Sequence, residues 1–202
     1  LKSEVAKDLP PKRHSIVRVN GLSAALRADL DAAWEGWDEA ERDELPPFEK
    51  FSALRAALAK SRIPAAVELV EGYEEAERPL LVFSAHRAPV DAIGAREGWG
   101  RITGDESAEE RRETVHAFQA GELKGVALTI RAGGVGLTLT RAQDAMFVDR
   151  EWNPRTNVQA EDRIHRIGQV GESVSYVTLV SDHPLDVHVN GLIAAKEESI
   201  SA

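Results

Sequence analysis

The feature that most constrains this chain is the stretch 125–169, which reads GVALTIRAGGVGLTLTRAQDAMFVDREWNPRTNVQAEDRIHRIGQ. Its first apolar run, 126–130, leads into a glycine-rich turn, whose free backbone amides can point at an anion. A second apolar run, 145–149, is followed by Trp-Asn-Pro at 152–154, and proline fits the first turn of a helix. The stretch therefore predicts two strands, a phosphate-facing glycine turn and a helix.

Polar residues on the predicted helix recur at spacings of three and four. Gln159, Asp162, Arg163 and Arg166 would then share one helix face. The planar guanidinium group gives charge and bidentate geometry together, so two arginines on one face suit a phosphate chain.

These residues also carry a family resemblance. The run AGGVGLTLT (132–140) resembles helicase motif V, and QAEDRIHRIGQ (159–169) resembles motif VI, of Swi/Snf-type double-stranded DNA translocases in superfamily 2. The QAEDR form is most similar to the annealing-helicase branch and its bacterial relatives. A lone glycine run would be weak, whereas the ordered pair with Trp-Asn-Pro between its members is specific. The segment VFSAHRAPVDAI (82–93) resembles motif IV of the same family.

Strands and helices alternate along the chain, which predicts an α/β lobe with a parallel sheet. Apolar runs place strands near 14–19, 80–84, 99–103, 125–130, 144–149 and 173–180. The resemblance implies a RecA-like sheet sandwiched by helices, with a small N-terminal helical insertion. We expect an inter-lobe linker and strand at 1–20, the insertion at 21–77, and the lobe with motifs IV, V and VI at 78–202.

Local signals support this division. Ser107 and Glu110 have the spacing of a capping box at a helix start. Trp34 and Trp37 are three residues apart, which favours helix packing over base stacking.

The acidic string 38–41 resembles a magnesium-binding box, but no apolar strand precedes it, so a solvated helix face is the better interpretation. No metal site is predicted.

Composition limits the class of protein. The chain has 43% hydrophobic and 29% charged residues, typical of a globular domain, and no cysteine for disulfides or thiolate metal sites. No apolar run approaches membrane-spanning length and no signal peptide opens the chain, which predicts a soluble protein without a membrane partner. We expect it in the cytoplasm with the nucleoid of a bacterium, or in the nucleus of a eukaryote. The start at Leu1 suggests an excised or processed chain.

The net charge of −9 argues mildly against a dedicated DNA-binding module. The motif stretch nevertheless contains arginines that could form a local basic groove on an acidic body. They are Arg131, Arg141, Arg150, Arg155, Arg163 and Arg166.

The resemblance implies an ATP-dependent motor whose nucleotide lies between two lobes. Arg163 and Arg166 would be arginine fingers, and Gln159 with the amides of Gly134 and Gly136 would line the same cleft. The chain contains no Gly-Lys pair, so it lacks the phosphate-binding loop that such motors need. ATP hydrolysis would therefore require an N-terminal RecA-like lobe of the same protein, which would also hold Mg²⁺.

The resemblance also implies a grip on the phosphates of double-stranded DNA. The residues expected there are Ser84, His86, Gly104, Thr129, Arg131, Gly133 and Trp152. Ser84 and His86 could equally cap the next helix, and Trp152 could equally pack beneath the motif VI helix.

Two other functions stay open at this point. The chain could be a non-catalytic DNA-binding or regulatory module. It could also be an RNA helicase lobe, although those families usually have a further arginine where this chain reads Arg-Ile-Gly-Gln at 166–169.

Overall fold

A computed structural model of the chain describes residues 9–46, 48–132, 137–166, 168–169 and 171–201. Its strands are β1 (Lys12–Val19), β2 (Leu80–Ser84), β3 (Trp99–Ile102), β4 (Gly125–Thr129), β5 (Asp144–Phe147) and β6 (Val174–Ser181). Its α-helices are α1 (Ala24–Glu35), α2 (Phe48–Ser61), α3 (Ile63–Glu75), α4 (Arg87–Gly94), α5 (Ala108–Ala120), α6 (Pro154–Glu161) and α7 (Pro184–Ser201).

Within the described residues, the strands form one six-stranded sheet in the order β1-β6-β5-β2-β4-β3. Every pairing is parallel. Strand β2 lies between β4 and β5, and all of its residues are buried, as its continuous apolar run predicts. The predicted parallel α/β fold and each predicted strand are confirmed.

Helices cover both faces of the sheet, because each face is apolar. On one face, Phe83 and Phe147 stack and pack with Phe118 of α5. On the other face, Ala66 and Val70 of α3 pack against the sheet. The grouping of residues 21–77 as one insertion stays a prediction, but α3 belongs to the sheet core by its contacts.

A third apolar cluster joins the N-terminal helices to the last helix. Leu30 of α1 and Phe51 of α2 pack with Leu185 and Ile193 of α7, and Trp37 is buried among them. The prediction that the tryptophans serve helix packing is confirmed for Trp37.

Helix starts follow the local signals. Ser107 and Glu110 form both halves of the predicted capping box. Pro154 is the first residue of α6, and the Asn153 side chain caps that helix.

In the part of the chain that the structure describes, none of the helices is both long enough and apolar enough to cross a membrane.

Candidate functional site

The carboxyl ends of parallel strands meet at one edge of the sheet, where ligands of open α/β sheets usually bind. Here that edge collects polar residues from the ends of β2, β3, β4 and β5. We call it the strand-end rim, and it consists of Ser84, His86, Thr103, Gly104, Glu106, Thr129, Arg131, Asp149 and Glu151.

Asp149 organises the rim at the end of β2. Its carboxylate contacts the hydroxyl of Ser84, and the other oxygen lies 2.6 Å from Nδ1 of His86. The Ser84 oxygen accepts the amide of His86, 3.0 Å away, at the start of α4. Ser84 is fully buried. The Ser84 side chain therefore fixes the connection between β2 and α4 without capping the helix, because no side chain among the described residues accepts from the first helical amides. Its buried hydroxyl does not reach the surface where a phosphate would lie.

The Glu106 carboxylate accepts hydrogen bonds from the backbone amides at the end of β3. It accepts from the amides of Thr103 and Gly104, at 2.8 and 2.9 Å, and from the Thr103 hydroxyl. Burial alone would raise the pKa of Glu106, but these hydrogen bonds hold it below its usual value. Thr129 in turn donates to the carbonyl oxygen of Thr103, 3.1 Å away. The Gly104 amide expected to face DNA is thus already bound to a carboxylate.

Arg131 forms a bidentate pair with Glu151. Its Nε and Nη2 lie 2.8 and 3.2 Å from the two carboxylate oxygens, while the arginine side chain stays 74% exposed. The buried Asn157 side chain fixes Glu151 by bonding to both its amide and its carbonyl oxygen. Arg131 is therefore held in one orientation at the surface.

Fewer than six arginines are available for the expected basic groove. Arg141 donates to the carbonyl oxygens of Phe118 and Leu123. The Arg150 side chain is only 8% exposed and donates to Glu197 and Thr178. The expectation for these two arginines was wrong, because both are used inside the lobe.

Trp152 lies against the helical insertion. Its ring centroid is 6.4 Å from that of Phe51, and the Arg55 guanidinium carbon lies 4.6 Å from the ring centroid. The side chain is half-buried in the cluster with α7. The ring thus packs on α2, and not beneath the motif VI helix as one of the two considered roles had it. Its expected contact with DNA stays a prediction.

Arg163 and Arg166 lie beyond the end of the helix that was expected to carry them. Helix α6 ends at Glu161, and residues 162–166 follow as turns, which we call the arginine turn. The carbonyl oxygen of Arg163 accepts the amide of Leu139, 3.1 Å away, instead of continuing the helix. The prediction of one shared helix face was therefore wrong.

The arginine turn packs against the segment that follows the glycine run. Arg166 is exposed and its Nη1 lies 3.3 Å from the carbonyl oxygen of Leu137 and 3.4 Å from the hydroxyl of Thr138. Motifs V and VI are thus brought together, as their pairing in the sequence indicates.

Arg163 is largely buried, at 8% exposed. Its Nε is buried and, among the described residues, has no hydrogen-bond partner. Burial, and then the charge of Arg166, lower the pKa of the Arg163 guanidinium from its usual value. A buried donor beside a second cation fits an anionic ligand such as a nucleotide phosphate.

Some predicted site residues are not brought into contact with the others. Gln159 is exposed on α6. Gly133, Gly134 and Gly136 lie outside the described residues, so their expected roles stay predictions.

Sequence reasoning missed the carboxylates of this region. Asp149 and Glu151 lie two and four residues after the end of β5, and polar residues after a buried strand were a signal that could have found them. Glu161 carried no such signal, because its partners lie near the start of the chain, at Lys12 and His14.

A family comparison agrees with this arrangement. A sequence model described as the helicase conserved C-terminal domain matches residues 51–168, more than half of the chain. The chain belongs to this family. Among its members it is a RecA-like C-terminal lobe of Swi/Snf type.

Curated relatives match over nearly the whole chain. The SWI/SNF-related matrix-associated actin-dependent regulator of chromatin subfamily A-like protein 1 of Xenopus laevis is 33% identical over 205 residues, covering 97% of this chain and 21% of the relative. The DNA annealing helicase and endonuclease ZRANB3 of Homo sapiens is 32% identical, covering 98% of this chain and 19% of the relative. The chain thus spans about a fifth of the length of these relatives.

Solved structures share the fold. The C-terminal part of the Fun30 ATPase domain superposes with a TM-score of 0.70 at 18% identity, covering 92% of this chain and 90% of that one. The Sulfolobus solfataricus SWI2/SNF2 ATPase core in complex with dsDNA gives 0.69 at 21% identity, covering 96% and 46%.

Proposed function

We propose that this domain is the second motor lobe of an ATP-dependent double-stranded DNA translocase. The observation that carries the proposal is the contact between the arginine turn and residues 137–139, the segment that follows the glycine run in the sequence. ATP would bind between this lobe and an N-terminal RecA-like lobe of the same protein, and that lobe would hold Mg²⁺. The fragment alone would be inactive.

In this proposal, Arg166 presents its exposed guanidinium to the phosphates. Arg163, which is more deeply buried, adds a second positive charge behind it. A bound nucleotide would supply the phosphoryl group to be transferred, while these side chains stabilise the negative charge that develops. An arginine finger contributes about 10³ to 10⁵ in rate in related chemistry. Gln159 and the amides of Gly134 and Gly136 would complete the nucleotide side.

The strand-end rim would hold one DNA strand by its phosphates, without reading bases. Arg131 is the best placed of its residues, because it is exposed and held by Glu151. His86, Gly104, Thr129, Gly133 and Trp152 would lie along the same path, and Ser84 would support His86 from below. The protein would act in the compartment that contains the genome.

The test is ATP hydrolysis by the full-length protein with and without duplex DNA. We expect hydrolysis that duplex DNA stimulates, and an upstream Gly-Lys-Thr loop and Asp-Glu box in the coding sequence. A full-length protein without that loop and without hydrolysis would instead support a non-catalytic DNA-binding or regulatory module.

A further inference from the structure

Glu161 is a buried carboxylate in an unfavourable place. It is the last residue of α6 and only 5% exposed. The carboxyl end of a helix carries partial negative charge, so an anion there needs compensation from nearby cations. It also comes immediately before the arginine turn.

The compensation comes from β1, near the other end of the chain. Nζ of Lys12 lies 2.9 Å from one oxygen of Glu161, and Nε2 of His14 lies 2.9 Å from the other. The ring of His14 also stacks on that of Tyr176, with centroids 5.0 Å apart, and the Tyr176 hydroxyl donates to the carbonyl oxygen of Glu161. Both the side chain and the backbone of Glu161 are therefore fixed.

The same segment also contacts the arginine turn itself. Lys12 lies 3.4 Å from a carboxylate oxygen of Asp162, and Nε2 of His165 lies 2.7 Å from the carbonyl oxygen of Pro10. Residues on both sides of Arg163 are thus attached to residues 10–14. Strand β1 is an edge strand that pairs with β6, so this segment is the outermost part of the sheet.

Burial alone would raise the pKa of Glu161, but the hydrogen bond with His14 and the charge of Lys12 hold it below its usual value. The carboxylate is therefore ionised at neutral pH, which keeps the attachment charge-assisted.

We propose that Glu161 is a positioning residue for the arginine fingers, and that Lys12 and His14 act through it to set the direction in which Arg163 and Arg166 point. The inference rests on the proposed function. It adds that the strand entering the domain, and not only the local fold of motif VI, controls the fingers. A displacement of β1 would then be transmitted to the arginine turn.

The test uses the full-length protein with Lys12→Met, Lys12→Arg and Arg13→Met. Arg13 is exposed on the same strand and points to the opposite face by strand alternation, so Arg13→Met is the matched loss of one charge. We expect Lys12→Met to lower kcat about tenfold, as small misplacements of catalytic groups do. KM for ATP and Kd for duplex DNA should stay within about twofold, since ground-state binding is retained. Lys12→Arg should restore kcat, and Arg13→Met should not change it.

A second measurement does not depend on activity. Amide hydrogen exchange at residues 162–166 should be faster in Lys12→Met than in Arg13→Met, while exchange in β2 is equal in both. Unchanged exchange and unchanged kcat in Lys12→Met would overturn the inference, as would equal effects of the two substitutions. If Arg166→Ala also leaves hydrolysis unchanged, the proposed function fails as well; if Arg166→Ala abolishes hydrolysis, the positioning role alone is wrong.

Discussion

The strand-end rim and the arginine turn differ in whether their basic side chains have carboxylate partners. At the rim, the Arg131 guanidinium pairs with Glu151 and the His86 ring contacts Asp149, so both side chains already have carboxylate partners inside the lobe. At the turn, Nε of Arg163 is buried without a partner among the described residues, and Arg166 makes long contacts to neutral oxygens. An anion therefore gains more at the turn, whereas a phosphate at the rim must compete with a carboxylate.

This difference assigns two functions, gripping DNA and stabilising charge on a nucleotide, to two different regions of the lobe. The rim suits a grip that is moderate, sensitive to salt and easily released. The turn suits tight stabilisation of charge at one moment of a reaction. Of the following changes, given from the largest expected effect to the smallest, those at Arg163 and Glu151 test the separation, and those at Arg62 and Glu161 test the packing of the lobe that holds the two regions.

Arg163→Ala in the full-length protein should lower DNA-stimulated ATP turnover by about 10³ or more, because the proposed function makes Arg163 one of the two groups that stabilise charge on the phosphates. Arg163→Lys should not restore it, since lysine lacks the planar fork. Steady-state kinetics would measure both. Full activity in the lysine variant would show that Arg163 acts only as a point charge.

Arg62→Met should lower the free energy of unfolding of the chain by about 3–5 kcal/mol, because it leaves the buried Asp186 carboxylate without its cation. Arg62 also donates to the carbonyl oxygen of Val148, which joins α3 to the sheet. Urea unfolding would measure the change. The double substitution Arg62→Met with Asp186→Asn should cost less than the single one, and a greater cost would contradict this reasoning.

Glu151→Gln should strengthen binding of duplex DNA about fivefold at low salt, because it removes the carboxylate that competes for Arg131. Fluorescence anisotropy with labelled duplex would report the affinity. The matched control is Glu122→Gln, an exposed acid after α5 that lies away from the rim. Equal effects of the two substitutions would mean that only net charge matters.

Mild acid should weaken the attachment of β1 to α6. The pKa of Glu161 is lower in the folded chain than its usual value, so its stabilising contribution is complete above that value and is lost as the pH falls through the folded pKa. From about pH 5 downward, the unfolding free energy should fall less steeply in Glu161→Gln than in the unsubstituted chain. Parallel pH profiles from urea unfolding would contradict this.

Much of the fold could be predicted because its signals are local. The run Leu80–Ser84 forms a buried strand, and Ser107 with Glu110 caps α5, as short sequence patterns indicate. The end of α6 could not be predicted, because the amide of Leu139 takes the carbonyl oxygen of Arg163 from a distant part of the chain. Tertiary contacts of this kind override helix spacing.

The candidate site shows the same division. Arg131 and Arg166 could be found from motif resemblance, and the structure brings each to the surface. The contacts that hold the arginine turn could not be predicted, since Lys12 and Glu161 are far apart in sequence and are brought together only by the folded sheet. The burial of Ser84 could not be predicted either, because strand ends expose some side chains and bury others.

The most direct test of the separation is a duplex DNA titration of ATP hydrolysis by full-length Arg166→Ala and Arg131→Ala. We expect Arg166→Ala to abolish turnover while DNA binding, measured separately, stays nearly intact. We expect Arg131→Ala to keep kcat and to raise the half-saturating DNA concentration about fivefold, as the loss of one phosphate contact would. Unchanged turnover in Arg166→Ala, or the same parameter changed by both substitutions, would contradict the account.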